Sequence, residues 1–374
     1  MASTIEPCRF LFDFVAEPTA ICPFLAFAGR LVYGTASGEL CAVDASGKKT
    51  WRTRAVGIGQ HVAAVLVFQG RVLTVGNRSR EIARWALGAG PGEPFGRTDP
   101  ACVQTRAEIS GMCCFAGRLV VGTAAGNVLF LDADFKTVGE VHWIRPCSPK
   151  LHAKRGLCVI TFENDVFVVA DDLRVLNHVN LHPQPRWDEQ PRNVAAAVSC
   201  GTAAVCFVDN QLHVFDMATV PWRSSHLSVV GDIACVREVV EGVFCTLAFI
   251  QQGPAEYLGS LTFWQRNRGP LKQRGAYCFT SHTPPKSLAV YVRSSPSHGR
   301  VRGAAVVMRA TRDKDVVHVV SDTGVVVHVI YPPGTSHTQR VHDLLLVSGD
   351  LCAVWLTREL ETSPEVYKAT LWRT

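Results

Sequence analysis

The stretch that decides the fold is CPFLAFAGRLVYGTASGELCAVDASGKKTWRT, residues 22–53. Its apolar and β-branched runs are short, and each of the first three ends at a pair of small residues that includes glycine. Glycine supplies the positive φ that tight hairpins need, so such pairs mark turns between antiparallel strands. The stretch therefore predicts four strands joined by turns at residues 28–29, 37–38 and 46–47.

The same unit recurs later in the chain as CCFAGRLVVGTAAGNVLFLDADFKTVGEVHW, residues 113–143. The hexapeptide at 27–32 aligns with the one at 115–120, and a tryptophan, Trp51 or Trp143, closes each unit. Weaker copies lie between and after these two. Their spacing of about 37–47 residues is typical of four-stranded propeller blades.

We therefore predict an all-β protein that folds as a single closed β-propeller of eight four-stranded blades, with seven blades as the alternative. The repeat units lie near residues 20–54, 62–88, 109–145, 155–181, 194–223, 229–293, 302–331 and 343–374. The last unit supplies only three strands, and an additional strand at 9–15 precedes the first unit. We expect this N-terminal strand to pair with the C-terminal blade, which would close the ring and remove an open edge.

The segment VYGTASGELCAVDASGKKTW resembles a repeat of the PQQ-type, or quinoprotein-like, propellers. That pattern has a strand ending in Gly-Thr, a glycine turn, Leu-x-Ala-x-Asp, a Gly-Lys turn and a tryptophan. The matching residues are Gly34, Gly38, Leu40, Ala42, Asp44, Gly47, Lys48 and Trp51. Residues 212–216 also resemble a WD-repeat blade. The resemblance implies a propeller, and it concerns blade packing rather than chemistry, since most proteins with such repeats bind partners.

Charge is distributed unevenly along the chain. The net charge is +6, yet residues 257–312 contain ten lysines and arginines and no acidic residue. Glycine, proline and serine place the basic pieces at 264–274 and 294–302 in loops between strands. Because arginine forks onto carboxylates and phosphates, these loops are candidates for partner binding. The candidate residues are Arg266, Arg268, Lys272, Arg274, Arg293, Arg300 and Arg302, with Trp264 and Tyr277 as possible stacking groups.

Three functions are compatible with these features. Two of them depend on the basic loops, and for these two the alternative is that the loops are solvated and bind no partner. The first is a non-catalytic scaffold or complex subunit that binds an acidic protein partner. The second is a propeller that contacts RNA or DNA, such as the non-catalytic partner of an RNA-modifying enzyme. The third is a quinone-dependent oxidoreductase, because several such enzymes join adjacent cysteines over the cofactor, and Cys113 and Cys114 are adjacent. Two strand residues on opposite faces of a sheet are the simpler interpretation of that pair.

Other chemistry lacks a motif. The sequence has no Cys-x-x-Cys pair, phosphate-binding loop, dinucleotide fingerprint or Gly-x-Ser-x-Gly elbow, and its histidines lack metal-ligand spacing. We therefore predict no catalytic residue, metal or cofactor. The 14 cysteines are scattered, many within apolar runs, which indicates a reducing intracellular compartment, cytoplasmic or nuclear. No apolar run approaches the length of a membrane span, so we expect no membrane association.

Overall fold

A computed structural model gives the fold as two compact units, residues 19–199 (the first unit) and residues 1–18 with 200–374 (the second unit). It describes residues 3–4, 9–15, 24–27, 30–44, 49–86, 96–154, 157–162, 165–180, 196–199, 203–208, 211–216, 223–240, 242–266, 271–284, 288–295, 299–311, 313–332, 336–347, 350–358, 360, 362 and 366–372. Among these residues, no helix is long and apolar enough to cross a membrane. Strands β1 (Ser3–Thr4) and β2 (Arg9–Val15) belong to the second unit.

The first unit contains four antiparallel sheets of four strands, each built from strands consecutive in sequence. Sheet 1 has β3 (Phe24–Phe27), β4 (Arg30–Gly34), β5 (Glu39–Asp44) and β6 (Lys49–Arg54). Sheet 2 has β7 (Val62–Phe68), β8 (Arg71–Gly76), β9 (Glu81–Ala86) and β10 (Gly96–Gln104). Sheet 3 has β11 (Ile109–Phe115), β12 (Arg118–Thr123), β13 (Asn127–Leu131) and β14 (Thr137–His142). Sheet 4 has β15 (Lys150–Lys154), β16 (Leu157–Phe162), β17 (Asp165–Ala170) and β18 (Val175–Asn180), and β19 (Ala196–Ser199) follows.

The second unit contains the remaining strands, again in antiparallel sheets. Sheet 5 includes β20 (Ala203–Val208), β21 (Gln211–Asp216) and β22 (Arg223–Ser228). Sheet 6 has β23 (Asp232–Val240), β24 (Val243–Gly253), β25 (Glu256–Arg266) and β26 (Leu271–Ser281). Sheet 7 has β27 (Leu288–Ser295), β28 (Gly299–Arg309), β29 (Asp315–Ser321) and β30 (Val326–Ile330), with β1 added in parallel along β30. Sheet 8 has β31 (Thr338–Val347), β32 (Asp350–Arg358), β33 (Val366–Trp372) and β2.

The N-terminal strand lies beside the C-terminal strands, in the place that the sequence predicts. β2 pairs antiparallel with β33, from Arg9 opposite Leu371 to Val15 opposite Val366.

Several boundaries differ from prediction. The units expected at 62–88 and 155–181 omit β10 and β15, and those at 194–223 and 343–374 omit most of β22 and the first half of β31. The unit expected at 229–293 would take in β27, but β27 pairs with β28 and belongs to sheet 7. The hairpin of β27 and β28 was missed because its turn lies within the basic stretch, which was interpreted as a loop.

Turn chemistry explains the strongest repeats. Gly38 and Gly126, aligned in the two units, have φ of +80° and +85°, where an L side chain is strained. Gly38 N–H donates to the Thr35 carbonyl, and Gly126 N–H donates to the Thr123 carbonyl, at 3.1 and 3.0 Å. The glycine carbonyls then accept from the start of the next connection. The repeats at 22–53 and 113–143 therefore form their second turns from the same backbone hydrogen bonds.

The core lies between neighbouring sheets, where second and third strands are buried. Trp51 and Trp85 pack edge to face at 5.8 Å between sheets 1 and 2, with Val62 and Val72 beside them. Trp143 stacks on Phe162 at 5.6 Å between sheets 3 and 4. Large apolar side chains of this kind contribute about 1.5–3 kcal/mol each on burial.

Trp51 and Trp143, however, do not occupy equivalent positions, contrary to the sequence alignment. Trp51 lies within β6 opposite Ala42, whereas Trp143 follows the end of β14. In sheet 1, Val32 is opposite Ala42, which is opposite Trp51. In sheet 3, the aligned Val120 is opposite Phe130, which is opposite Gly139, so Gly139 occupies the position of Trp51. A Cβ at Gly139 would lie 2.8 Å from Leu173 Cδ1, so Leu173 fills the space that the indole fills in sheet 1.

Candidate partner-binding face

Six of the seven basic residues singled out from the sequence lie on strands, so the assignment of these six to loops was wrong. Arg266 ends β25, Lys272 and Arg274 lie in β26, Arg293 lies in β27, and Arg300 and Arg302 lie in β28. Arg268 lies outside the described residues. β25, β26 and β28 each have 11 residues and so include most of these cations. The turn residues at 267–270 and 296–298 lie outside the described residues. The result is long hairpins with cations near their ends.

The strand register concentrates these cations in the last residues of two hairpins. In the hairpin of β25 and β26, Arg266 is opposite Leu271 and Gln265 is opposite Lys272. In the hairpin of β27 and β28, Ser294 is opposite Arg300 and Arg293 is opposite Val301. We call these two segments the basic hairpin ends. Each has cations on both of its strands.

Arg274 connects the two hairpins. It lies at an irregularity in β26, since the register passes from Phe263 opposite Gly275 to Trp264 opposite Gln273. A bulge of this kind re-aims a side chain. The Arg274 Nε lies 3.0 Å from the Asp322 Oδ2 in the turn between β29 and β30. The Asp322 N–H in turn donates to the carbonyl of Arg302 in β28, at 2.8 Å. Both basic hairpin ends therefore lie at the same edge of sheets 6 and 7.

The backbones of the two sheets touch at this edge. A Cβ at Gly275 would lie 2.3 Å from the carbonyl carbon of Thr323, and one at Gly324 would lie 2.4 Å from the Ala276 oxygen. Gly324 also has a φ of +85°. Only glycine fits at these two positions, so β26 and the 322–325 turn form a close-packed junction. Asp322 is buried there, at 6% exposure. Sequence reasoning missed this junction, because Asp-Thr-Gly at 322–324 signals only a turn.

Tyr277 adds a second contact between the sheets. Its hydroxyl lies 2.6 Å from the His318 Nδ1 in β29, and its ring stacks on Phe279 at 5.7 Å. Burial raises the pKa of Tyr277 and lowers the pKa of His318. Neutral His318 thus accepts the hydrogen bond that the tyrosine donates. The stacking role predicted for Tyr277 stays a prediction, and its hydroxyl already has a structural partner.

Trp264 also has a structural partner, in a pattern that recurs in the chain. Its Nε1–H donates to the Thr246 Oγ1 on β24 at 2.9 Å. The indoles of Trp85 and Trp355 make the same bond to threonines on adjacent strands, each at 2.9 Å. The half-buried Trp264 thus follows the arrangement of two fully buried tryptophans. This pattern favours a packing role over the predicted stacking on a partner.

Lys272 remains available for binding. It is exposed and makes no ion pair with any residue that the structure describes. Arg266, Arg293 and Arg300 are placed at the same edge by strand register. Asp322 is already neutralised by Arg274, so the edge keeps an excess of positive charge. A concentration of one charge sign attracts segments of the opposite sign.

The adjacent cysteines lie on opposite faces of β11. Cys113 packs with Cys158 in the cluster between sheets 3 and 4. The Cys114 thiol donates to the carbonyl of Val67 in sheet 2 at 3.1 Å. Both are free, and burial raises the pKa of Cys114 to about 11. The pair therefore does not have the arrangement of the adjacent-cysteine disulfide that suggested a quinone enzyme. Within the described part of the chain, no three His, Cys, Asp or Glu side chains come together as metal ligands.

No protein-family model matches the chain, and no curated protein matches it by sequence. A solved structure does match, "The crystal structure of BamB from Moraxella catarrhalis", with a TM-score of 0.59. The match covers 98% of this chain and 100% of that one, at 13% sequence identity. This chain shares the fold of BamB, a β-propeller built from PQQ-like repeats. At this identity the likeness concerns the fold alone.

Proposed function

We propose that this protein is a non-catalytic scaffold, a subunit of an intracellular complex, which binds an acidic segment of a partner protein at the basic hairpin ends. The observation that carries the proposal is the Arg274–Asp322 contact, because it brings the ends of two cationic hairpins to one edge. In this proposal Arg274 and Arg302 hold the hairpins together. Arg266, Lys272, Arg293 and Arg300 meet the partner's carboxylates.

The proposal includes a closed ring of eight blades. The described strands fall into eight sheets, and β2 completes the sheet of the last three strands. A closed ring is rigid, because each blade packs on two neighbours and the termini share a sheet. Rigidity lowers the entropy that the hairpin ends lose on binding. Free cysteines such as Cys158 and Cys245, both fully buried, are compatible with a reducing compartment.

The test is a fluorescence anisotropy titration with a labelled oligoglutamate peptide. The binding variant replaces Arg266, Lys272, Arg293 and Arg300 with glutamine. The control variant replaces four exposed cations of the first unit with glutamine, namely Arg71, Arg78, Arg106 and Lys136. The two variants lose the same charge, so a general electrostatic effect would weaken both equally.

We expect the binding variant to lose about tenfold or more in affinity, since each exposed ion pair contributes about 0.2–1 kcal/mol. The control variant should keep most of its affinity. Equal affinity of the binding variant and the unmodified protein would refute the placement. Single-stranded RNA of matched charge serves as a competitor. Displacement of the peptide by RNA at a much lower concentration would favour the nucleic-acid function instead.

A further inference from the structure

A cavity of about 400 Å³ lies between sheets 1 and 2 of the first unit. Its buried wall includes Ala55, Thr74 and Ala83, and its exposed wall includes Arg54 and Glu81. Thr74 accepts a hydrogen bond from the Trp85 indole at 2.9 Å, which leaves the threonine O–H free to donate into the cavity. The cavity therefore combines a small apolar wall with polar groups of both charge signs.

The walls of the cavity are fixed before any ligand arrives. The connection from β6 to β7 is held by hydrogen bonds from Ala55 N–H and Val56 N–H to the Gly38 carbonyl, at 2.8 and 3.2 Å. Gln60 N–H donates to the Gly57 carbonyl at 3.1 Å, which closes a turn. A Cβ at Gly76 would lie 2.9 Å from the Gln60 Oε1, so the glycine leaves room for that amide. Binding would cost little ordering of the connection.

Two charged side chains at the cavity have unused bonding capacity. Glu81 forms no ion pair with any residue in the described ranges, and Arg54 forms none within 4 Å. Arg54 lies opposite Glu39, whose pKa is lowered by its hydrogen bond from Arg52 and also by the charge of Arg54, so Arg54 can still donate hydrogen bonds to a further carboxylate. Their neighbour Arg52 differs, because it donates two hydrogen bonds to Glu39. A bound group carrying both charges would satisfy Arg54 with a carboxylate and Glu81 with an ammonium.

An exposed apolar side chain lies on the turn that lines one side of the cavity, between the lining residues Gly57 and Gln60. Ile58 lies in the turn between Gly57 and Gly59 and is 92% exposed. A large β-branched side chain on an anchored turn gains free energy when a partner covers it, with little loss of conformational entropy. Isolated exposed apolar residues are common on proteins. Here the isoleucine is the chain neighbour of a lining residue, Gly57, in a cavity that an arginine and a glutamate also line.

We propose that this cavity, with Ile58 on the adjoining turn, is a second docking site, which takes an extended segment of a partner protein carrying neighbouring basic, apolar and acidic side chains. The carboxylate binds Arg54, the cation binds Glu81, and the apolar side chain covers Ile58. This site uses residues of the first unit only. It is therefore independent of the basic hairpin ends, and either site can fail without the other.

The test is methyl NMR on the full chain with labelled isoleucine methyl groups, in which the Ile58→Leu variant identifies the Ile58 signal. The probe is an acetylated and amidated tripeptide of lysine, leucine and glutamate. Two comparison peptides replace the lysine or the glutamate with glutamine. We expect the first peptide to shift the Ile58 signal saturably and to bind about two- to fivefold more tightly than either comparison peptide, since each lost exposed ion pair costs about 0.2–1 kcal/mol.

Three variants locate the contacts. Arg54→Gln and Glu81→Gln should each weaken binding by a similar factor, whereas Arg71→Gln, at the opposite hairpin end of β7 and β8, should not. Unchanged melting temperatures would show that the variants keep their fold. An Ile58 signal that does not move, three peptides of equal affinity, or cavity variants with unchanged affinity would each overturn the proposal. Quadruple substitution of the basic hairpin ends should leave this binding unchanged.

Discussion

The junction of sheets 6 and 7 makes a specific prediction for Gly275→Ala. The added Cβ would lie 2.3 Å from the carbonyl carbon of Thr323. An ordinary carbon–carbon contact needs about 3.5 Å, so β26 or the 322–325 turn must move by about 1 Å. Because the blocking atoms are backbone, no rotamer change relieves the clash. Overpacking of this kind costs about 1–3 kcal/mol.

Gly111→Ala is the matched control. Gly111 also lies in a strand, at a conformation without positive φ, and a Cβ there would meet nothing within 4 Å. Alanine should therefore stabilise this position by about 0.4–1 kcal/mol, because it reduces the entropy of the unfolded chain. The same substitution thus has opposite predicted signs at the two glycines.

Urea unfolding followed by tryptophan fluorescence would measure both variants. We expect a lower midpoint for Gly275→Ala and a higher midpoint for Gly111→Ala. We also expect Gly275→Ala to weaken oligoglutamate binding, since the basic hairpin ends would lose their alignment. Equal midpoints for the two variants would refute the close-packed junction on which the binding face depends.

Three further predictions concern single side chains of the second unit. Asp315→Ala removes a buried carboxylate that pairs with the half-buried Arg309 and accepts a hydrogen bond from the Val341 N–H. It should cost about 3 kcal/mol in urea unfolding because both groups lose this acceptor, and an unchanged midpoint would contradict this. Burial makes the pKa of His318 lower in the folded protein than in the unfolded chain, so the unfolded chain binds the proton more tightly. Stability should therefore fall as pH drops below about 6.5, and His318→Phe should reduce that dependence in melting curves. Trp264→Phe should cost about 1 kcal/mol of stability, because the hydrogen bond from the indole to Thr246 is lost. Its affinity for oligoglutamate should stay the same, and a large loss of affinity would instead support the stacking role.

Much of the fold follows from turn chemistry that is visible in the sequence. Gly38 and Gly126 mark turns because their positive φ excludes other residues, and that requirement acts locally. The strand at 9–15 pairs with β33 as predicted, since a three-stranded unit leaves an edge to cover. The boundary of sheet 7 was not predictable in the same way. Which strands share a sheet depends on contacts between residues far apart in sequence.

The candidate site was less predictable than the fold. The sequence identifies the cations near residues 266–302, but it does not distinguish those that bind a partner from those that hold the structure together. Arg274 is an example, because its partner Asp322 is distant in sequence. The cavity beside Ile58 has no sequence signal at all. It arises where the β6–β7 connection passes the start of β9, and only the structure brings Arg54 and Glu81 to the same opening.

The most direct test of the proposed function is affinity capture from nuclease-treated cell lysate, comparing the unmodified protein with the quadruple glutamine variant of the basic hairpin ends. We predict partner proteins that survive nuclease, are lost from this variant and are kept by the four-substitution control of the first unit. Partners that disappear with nuclease, or that bind the quadruple variant as well as the unmodified protein, would contradict the account.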